Sequence, residues 1–326
     1  MFRKEKNVNK FLIKWYSKNA RILPWRKIYK KDLLNPYFVF VSEYMLQQTT
    51  VNTVKNKFQN FVIKWPNLDK LAQINEPQIL KFWSGLGYYS RARNLLKSAK
   101  IINKKFNNKI PCSYDELIDL PGVGNYTANA ILGIAFNKSV MPLDANIERI
   151  LVTLHAIDKP IIKVKKDLRY LADKFKSKNF SSDLIQSFMD YGSEICTPRN
   201  PKCNVCGIND LCQSFKNNLQ LQIPIKLNNK KNKPIKYTRA YVLINEKNEI
   251  LVRNRPEKGM LASMLEVPND QWVKNKKLLT TDYIIKNLKT QLRPRGFFEY
   301  SFSHFDLKTE IFFGNIKKSE LSNANW

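Results

Sequence analysis

In the N-terminal part of the chain, apolar residues recur every three or four positions, which places them on one face of an α-helix. A clear stretch runs from Phe38 to Val62, where Val41, Met45 and Phe58 follow this spacing. Prolines fall between such stretches or at their starts, as expected where helices end or begin. The spacing predicts helix over 38–62 and over about 76–86, 90–106, 126–136, 145–154, 165–175 and 182–195.

The pattern changes after residue 212. Residues 239–256 form two β-rich runs around Glu246–Asn248, which is typical of a hairpin, and strands are also expected over 297–305 and 309–313. The segment before them holds two prolines among lysines and asparagines and is expected to be a linker. We therefore predict a mainly α domain over 1–215, a linker over 216–237, and a smaller α/β domain over 238–326.

The composition adds a strong positive charge. The 326 residues include 56 Lys and Arg against 27 Asp and Glu, a formal net charge of +29. Such a chain attracts polyanions, so a nucleic-acid partner is the leading interpretation, although a bias toward Lys and Asn codons would give the same excess. The sequence contains neither an apolar run of membrane-spanning length nor a signal peptide, and we expect a cytoplasmic protein associated with the nucleoid.

Four of the five cysteines stand close together: Cys196, Cys203, Cys206 and Cys212. Both histidines, His155 and His304, lie elsewhere, so a mixed Cys–His zinc site is excluded. A four-cysteine zinc site usually has two C-x2-C pairs, and disulfides are rare outside secreted proteins. The spacing C-x6-C-x2-C-x5-C indicates a [4Fe–4S] cluster. Cys112 stands alone and is expected to be a buried apolar residue.

A glycine turn lies between two predicted helices, in the segment 120–129. Gly122 and Gly124 allow the backbone to bend and to approach a partner closely. The N–H groups at the start of the second helix suit a phosphate oxygen, as in helix-hairpin-helix motifs. An ordinary connection between two helices would have the same short sequence pattern. About twenty residues further on, Asp144 begins another predicted helix.

This order of motifs resembles the helix-hairpin-helix DNA glycosylases with an iron–sulfur cluster, and within them the adenine DNA glycosylases of the MutY type. The resemblance implies the mainly α fold of that superfamily with its [4Fe–4S] cluster loop, followed by a C-terminal α/β Nudix-like domain. It also implies a monomer that acts on double-stranded DNA with adenine opposite 8-oxoguanine or guanine. Beside the hairpin and the cysteines, the matching segments are Leu23–Arg26, Val41–Thr49, Trp83–Arg93, Asp144–Asn146 and Phe302–His304.

The resemblance also assigns catalytic roles. It implies that Glu43 protonates adenine and later handles the water, and the apolar neighbours of Glu43 are expected to raise its pKa. Asp144 would stabilise the sugar cation, and its position at a helix start favours the charged form. Tyr126 occupies the position where strand-cutting relatives carry a lysine that forms a Schiff base. These expectations describe a monofunctional glycosylase.

Further residues correspond to substrate and DNA contacts in that family. Gln48 and Tyr88 match residues that enter the duplex and help to expel adenine. Gly122 and Gly124 would contact the DNA backbone. The remaining expected contacts are Trp25, Arg26 and Gln186 in the adenine pocket, Asn146 near Asp144, and Ser303 and His304 for the oxidised guanine.

The chain departs from the family pattern at several places. Ala145 replaces a glycine after Asp144, Met260–Met264 replaces a glycine-rich segment, and the chain ends at Trp326, where relatives continue with a further helix. The glutamate-rich Nudix metal box is missing, so no pyrophosphatase activity is expected. Two alternatives remain: a bifunctional glycosylase/lyase acting on oxidised pyrimidines, and a non-catalytic iron–sulfur DNA-binding protein.

Overall fold

The computed structural model describes residues 3–26, 28–30, 33–225, 233–256, 259–286, 288 and 290–317. These residues form two compact units, Met1–Leu227 and Asn228–Trp326. The first unit is helical, apart from a short antiparallel pair of strands, and the second contains a sheet. The linker predicted over 216–237 includes residues 226–232, which lie outside the described residues.

The helices of the first unit agree with the apolar spacing over most of their length, but the stretch 38–62 is interrupted between Leu46 and Val51. No described helix is long and apolar enough to cross a bilayer. The strands are β1 (Ile28–Lys30) and β2 (Leu33–Leu34). The helices are α1 (Arg3–Asn19), α2 (Pro36–Leu46), α3 (Val51–Lys64), α4 (Leu68–Ala72), α5 (Glu76–Trp83), α6 (Ser90–Phe106), α7 (Tyr114–Ile118), α8 (Asn125–Phe136), α9 (Ala145–Leu154), α10 (Lys165–Asp173), α11 (Ser181–Glu194) and α12 (Gln213–Lys216).

Helix α2 lies in the middle of the first unit and is buried on nearly all sides. Asn35 caps its start by accepting a hydrogen bond from the backbone N–H of Tyr37 at 3.0 Å, and Pro36 occupies the first turn. Phe40 and Tyr44 are fully buried in the core that α2 shares with α3, α6 and α8. A polar side chain on this helix is therefore enclosed by protein, whichever direction it faces.

Helices α7 and α8 form the two arms of the hairpin. The turn between them places Gly122 at φ +81°, a conformation that glycine adopts without strain. A Cβ at this position would lie 2.8 Å from the side chain of Asn94. Gly124 precedes the first residue of α8 and accepts a hydrogen bond from Ala128. The hairpin predicted from the sequence is thus present, and it is close-packed against α6.

The second unit is built on a three-stranded mixed sheet in the order β3 (Ile235–Ile244), β7 (Asp306–Asn315), β6 (Arg293–Ser301). Strand β3 pairs in parallel with β7, and β6 pairs antiparallel with β7. The predicted hairpin turn forms, since Asn245 donates to Glu249, but the second run then leaves β3. It provides β4 (Arg253–Asn254), which pairs with β5 (Leu265–Glu266); a short α13 (Tyr283–Lys286) follows.

Candidate active site

A cavity of about 630 Å³ opens between α2, α8, the start of α9 and α11. Of the residues predicted to act, the hairpin glycines and Tyr88 lie outside its walls, and Ser303 and His304 belong to the second unit. The predicted residues that line the cavity together are Trp25, Arg26, Glu43, Gln48, Tyr126, Asp144, Asn146 and Gln186.

Glu43 is the acid that α2 carries into this cavity, and only 6 % of its surface is exposed. Burial raises the pKa of Glu43 to about 8; a hydrogen bond with Tyr126 opposes this rise, and the nearby Asp144 charge adds to it. The apolar surroundings seen in the sequence predict the same direction. Near neutral pH, Glu43 therefore holds a proton inside the cavity.

Asp144 caps the start of α9 and lines the same cavity. Its carboxylate accepts hydrogen bonds from the backbone N–H of Ile147 at 2.7 Å and from Asn146 Nδ2 at 2.9 Å. From the sequence, the helix start was expected to favour the charged form of Asp144. Burial nevertheless raises the pKa of Asp144, so desolvation outweighs the effect of the helix start. The two hydrogen bonds to Asp144 favour its charged form, whereas burial favours the protonated form of Glu43.

Arg149 connects this carboxylate to the cysteine loop, a link that the sequence did not reveal. Its guanidinium donates to Asn146 Oδ1 at 2.9 Å and to the carbonyl oxygen of Cys196 at 2.6 Å. Gly192 leaves room for this contact, since a Cβ there would lie 2.7 Å from Asn146 and 3.2 Å from Arg149. The side chain that holds Asp144 is thereby fixed by residues of α11 and of the cysteine loop.

A second buried carboxylate, Asp190, organises the wall near Trp25. Its oxygens accept two hydrogen bonds from Arg26, both at 2.7 Å, and one from Arg21 Nε at 2.7 Å. Burial tends to raise the pKa of Asp190, but the bonds and charge of Arg26 outweigh it and lower the pKa. Arg26 thus lines the cavity with a guanidinium already paired to Asp190. The only sequence signal for the pair of Arg26 and Asp190 was an acidic residue within the helix predicted over 182–195.

The four clustered cysteines line a separate small cavity of about 30 Å³ with apolar walls. They form no disulfide, and burial raises the pKa of Cys196 to about 12, so thiolates there require a compensating positive charge. Among the described residues, no three His, Cys, Asp or Glu side chains converge on one ion. Four sulfurs around a common cavity instead fit a cluster of several iron ions, and Tyr191 donates to Cys206 Sγ at 3.2 Å.

Cys112 does not belong to this cavity. It is exposed, so the prediction of a buried apolar residue was wrong. The residue directly follows Pro111, which is buried, in the segment between α6 and α7. A lone cysteine carries no sequence signal that separates a buried position from an exposed one.

In the second unit, Ser303 and His304 occupy the tight turn between β6 and β7, and both are exposed. The backbone N–H of Phe302 donates to the carbonyl of Phe305 at 2.9 Å, which closes the turn. The rings of Phe302 and Phe305 lie 4.9 Å apart and pack on Trp272. This cluster of three aromatic rings supports the turn, while the two polar residues of the turn are exposed to solvent.

Three family models match successive parts of the chain. Residues 41–174 match the HhH-GPD superfamily base excision DNA repair proteins, and residues 196–212 match the iron–sulfur binding domain of endonuclease III. Residues 239–326 match the NUDIX domain. The predicted fold class is confirmed: a helical helix-hairpin-helix unit, an iron–sulfur loop and a Nudix-like α/β unit.

Relatives with curated names cover nearly the whole chain. An adenine DNA glycosylase of Buchnera aphidicola subsp. Schizaphis graminum is 36 % identical over 92 % of this chain and 85 % of its own length. One from Buchnera aphidicola subsp. Baizongia pistaciae is also 36 % identical, over 96 % of this chain and 88 % of its own. The human adenine DNA glycosylase is 29 % identical over 92 % of this chain and 65 % of its own.

Solved structures match about two thirds of the chain. A thermostable thymine-DNA glycosylase superposes with a TM-score of 0.59 at 26 % identity, over 66 % of this chain and 98 % of that one. Endonuclease III in a non-covalent DNA complex superposes with a TM-score of 0.54 at 22 % identity, over 68 % of this chain and 99 % of that one. The second match supports the fold alone.

Proposed function

The chain belongs to the adenine DNA glycosylase family, and from that membership we propose that it removes adenine paired with 8-oxoguanine or guanine and leaves the DNA strand intact. It is a DNA glycosylase of base excision repair, it binds DNA, and its cofactor is an iron–sulfur cluster. We further propose that residues 1–215 form the catalytic domain, that 238–326 recognise the oxidised base, and that the protein acts as a cytoplasmic monomer.

The observation that carries this proposal is that one cavity is lined both by Glu43, whose pKa burial raises to about 8, and by Asp144, whose carboxylate accepts two hydrogen bonds. Glu43 gives its proton to N7 of adenine, so that the base departs neutral as the N-glycosidic bond breaks. Asp144 stabilises the cationic sugar. Water then adds to C1′ and returns a proton to Glu43, which restores the acid form.

The wall around this pair also supports a monofunctional reaction. A strand-cutting glycosylase needs a lysine amine that attacks C1′ and forms a Schiff base. Tyr126 stands at that position, and its hydroxyl is engaged with Glu43. None of the residues that line this cavity in the described part of the chain is a lysine. The sugar would therefore be captured by water, which yields an intact strand with an abasic site.

A duplex with one adenine opposite 8-oxoguanine tests this directly. We expect cleavage at the target position only after heat or alkali, and no covalent complex when borohydride is added during the reaction. The products are read on a denaturing gel. Endonuclease III on its own substrate serves as the trapping control, because its covalent intermediate with DNA has been trapped in a solved structure. Efficient trapping of this protein would show the lyase alternative to be correct.

Recognition of the oxidised base is assigned to the turn of the second unit. Ser303 and His304 present polar groups at an exposed turn, and the turn is supported by the packed rings of Phe302 and Phe305. Hydrogen bonds from such groups can discriminate between 8-oxoguanine and guanine. When guanine is bound, the polar atoms that would bond to the oxidised base are left without a partner, which costs binding free energy. An alternative is that these are ordinary turn residues and that the second unit contributes only positive charge.

Replacing both residues, Ser303→Ala with His304→Ala, should lower the preference for adenine opposite 8-oxoguanine over adenine opposite guanine by roughly tenfold, the equivalent of about 1.4 kcal/mol. The rate on the guanine pair should change little. Single-turnover rates on the two duplexes measure this ratio. Lys247→Ala, in an exposed turn of the same unit, is the control and should leave the ratio unchanged. An unchanged ratio in the double variant would favour the purely electrostatic role.

A further inference from the structure

Arg91, in the first turn of α6, is a buried cation that has no acidic partner in the part of the chain that the structure describes. Only 5 % of its surface is exposed, and among the described residues no carboxylate lies within ion-pair distance of it. A buried guanidinium is costly unless its donors are satisfied. The nearby Arg93 differs, since its Nε pairs with Glu76 at 2.7 Å. The charge of Arg91 is instead stabilised by backbone oxygens of two separate segments.

The first segment is the C-terminal end of α2. Nη1 of Arg91 donates to the carbonyl oxygens of Tyr44 at 3.2 Å and Met45 at 2.7 Å, and also to that of Gln47. Carbonyls at a helix end have no partner within the helix and carry partial negative charge, so a cation is favourable there. These bonds fix the chain where α2 ends and turns toward α3.

The second segment follows α5. Nη2 of Arg91 donates to the carbonyl oxygens of Leu86 at 2.8 Å and Gly87 at 3.0 Å. It also donates to Thr49 Oγ1 at 2.9 Å, and this hydroxyl lies 3.4 Å from the same Leu86 oxygen. One guanidinium, together with Thr49, therefore joins the segment after α2 to the segment after α5.

Each of these segments presents one exposed side chain from an unusual backbone conformation. Gln48 has φ +56° and Tyr88 has φ +46°, both in the left-handed region. For residues with a Cβ this conformation costs about 1–2 kcal/mol each, so it persists only where the surroundings impose it. The Arg91 guanidinium lies 5.8 Å from the centre of the Tyr88 ring. Its bonds to Gln47 and Gly87 hold the residues directly before both strained positions.

We propose that Arg91 is a positioning residue that sets the conformation and separation of the two segments from which Gln48 and Tyr88 enter the duplex. The inference rests on the proposed role of Gln48 and Tyr88 in expelling adenine from the stack. Arg91 itself is buried and acts through them. Lysine at this position would keep the charge but could not reach both segments, because it lacks the planar fork of donors.

The test compares Arg91→Lys with Arg93→Lys, a matched change on the same helix in which the ion pair with Glu76 can be kept. We expect the single-turnover excision rate to fall roughly tenfold for Arg91→Lys and to change less than about twofold for Arg93→Lys. Base expulsion is read separately with 2-aminopurine beside the target adenine, in an Asp144→Asn background that blocks hydrolysis. The fluorescence increase on binding should be reduced by Arg91→Lys and kept by Arg93→Lys.

A double-mutant cycle separates positioning from general destabilisation. With Gln48→Ala and Tyr88→Ala both present, adding Arg91→Lys should cost little further rate, because the side chains that it positions are already gone. An equal loss in both backgrounds would overturn the proposal. If Arg91→Lys does not fold, Thr49→Val removes the hydroxyl shared by the two segments and must reduce the fluorescence increase. If Gln48→Ala and Tyr88→Ala lose no activity, the proposed expulsion role fails, and this inference with it, while adenine excision by the unmodified protein still stands.

Discussion

Glu43→Gln should reduce the single-turnover rate of adenine excision by roughly 10²- to 10⁴-fold, the usual contribution of a general acid. Glutamine has nearly the same shape as glutamic acid and still accepts the hydrogen bond from Tyr126, but it cannot give a proton to the departing base. Because burial raises the pKa of Glu43 to about 8, the unmodified side chain carries that proton in an assay at neutral pH. The rate is measured with enzyme in excess over a duplex holding adenine opposite 8-oxoguanine.

Asp144→Asn removes the other half of the pair and should cost a similar factor. Asparagine is also a good helix cap, so the bond from the backbone N–H of Ile147 and the start of α9 are retained. The loss then reflects the missing negative charge beside the sugar. Glu148→Gln is the matched control: Glu148 lies on the same helix, is buried and pairs with Lys165, but does not line the cavity. Its rate should change by less than about tenfold.

Binding and pH dependence distinguish a lost catalytic group from a damaged protein. Both variants should still bind the mispaired duplex, because phosphate contacts supply most of the affinity. The acid form of Glu43 predominates below its folded pKa of about 8, so the rate should fall as the pH rises through this value. That decline should be absent in the residual activity of Glu43→Gln. Near-normal excision by either variant would show that these carboxyls do not have the roles proposed here.

The sequence was sufficient for the fold where local spacing decides it. Helices α6 and α9 begin and end where their apolar periodicity predicts, because each has one face in the core. The same periodicity does not reveal the interruption between α2 and α3. The bonds to the end of α2 come from Arg91, more than forty residues further along the chain. Local patterns contain no information about such a partner.

Charges inside the protein were the least predictable part of the site. A helix start alone favours an ionised Asp144, yet burial raises its pKa, and burial depends on the packing of α2, α8 and α11 around the cavity. The sequence places Arg26 in the expected adenine pocket but gives no indication that Asp190 pairs with its guanidinium. Both outcomes follow from the tertiary environment, because the cost of desolvating a charge is set by the atoms around it.

Cys196→Ser should lower the iron content from about four per chain and remove the brown colour that an iron–sulfur cluster gives to the purified protein. A serine oxygen is a harder ligand on a shorter side chain, and it suits iron in such clusters poorly. Cluster binding is coupled to folding, so the melting temperature should fall as well. Excision should decline with it, since the Cys196 carbonyl holds Arg149, which in turn binds Asn146 beside Asp144.

Cys112→Ser provides the matched control within the same chain. This thiol is exposed and lies outside the cysteine cavity, so iron content, absorption near 400 nm and melting temperature should all remain those of the unmodified protein. Iron is measured by metal analysis on protein prepared without oxygen, which also separates iron from zinc. One zinc per chain in place of iron would contradict the cluster. If Cys196→Ser kept its iron but lost excision, the loss would be attributed to the contact between Arg149 and the backbone carbonyl of residue 196. That contact depends on the position of the loop and not on the sulfur.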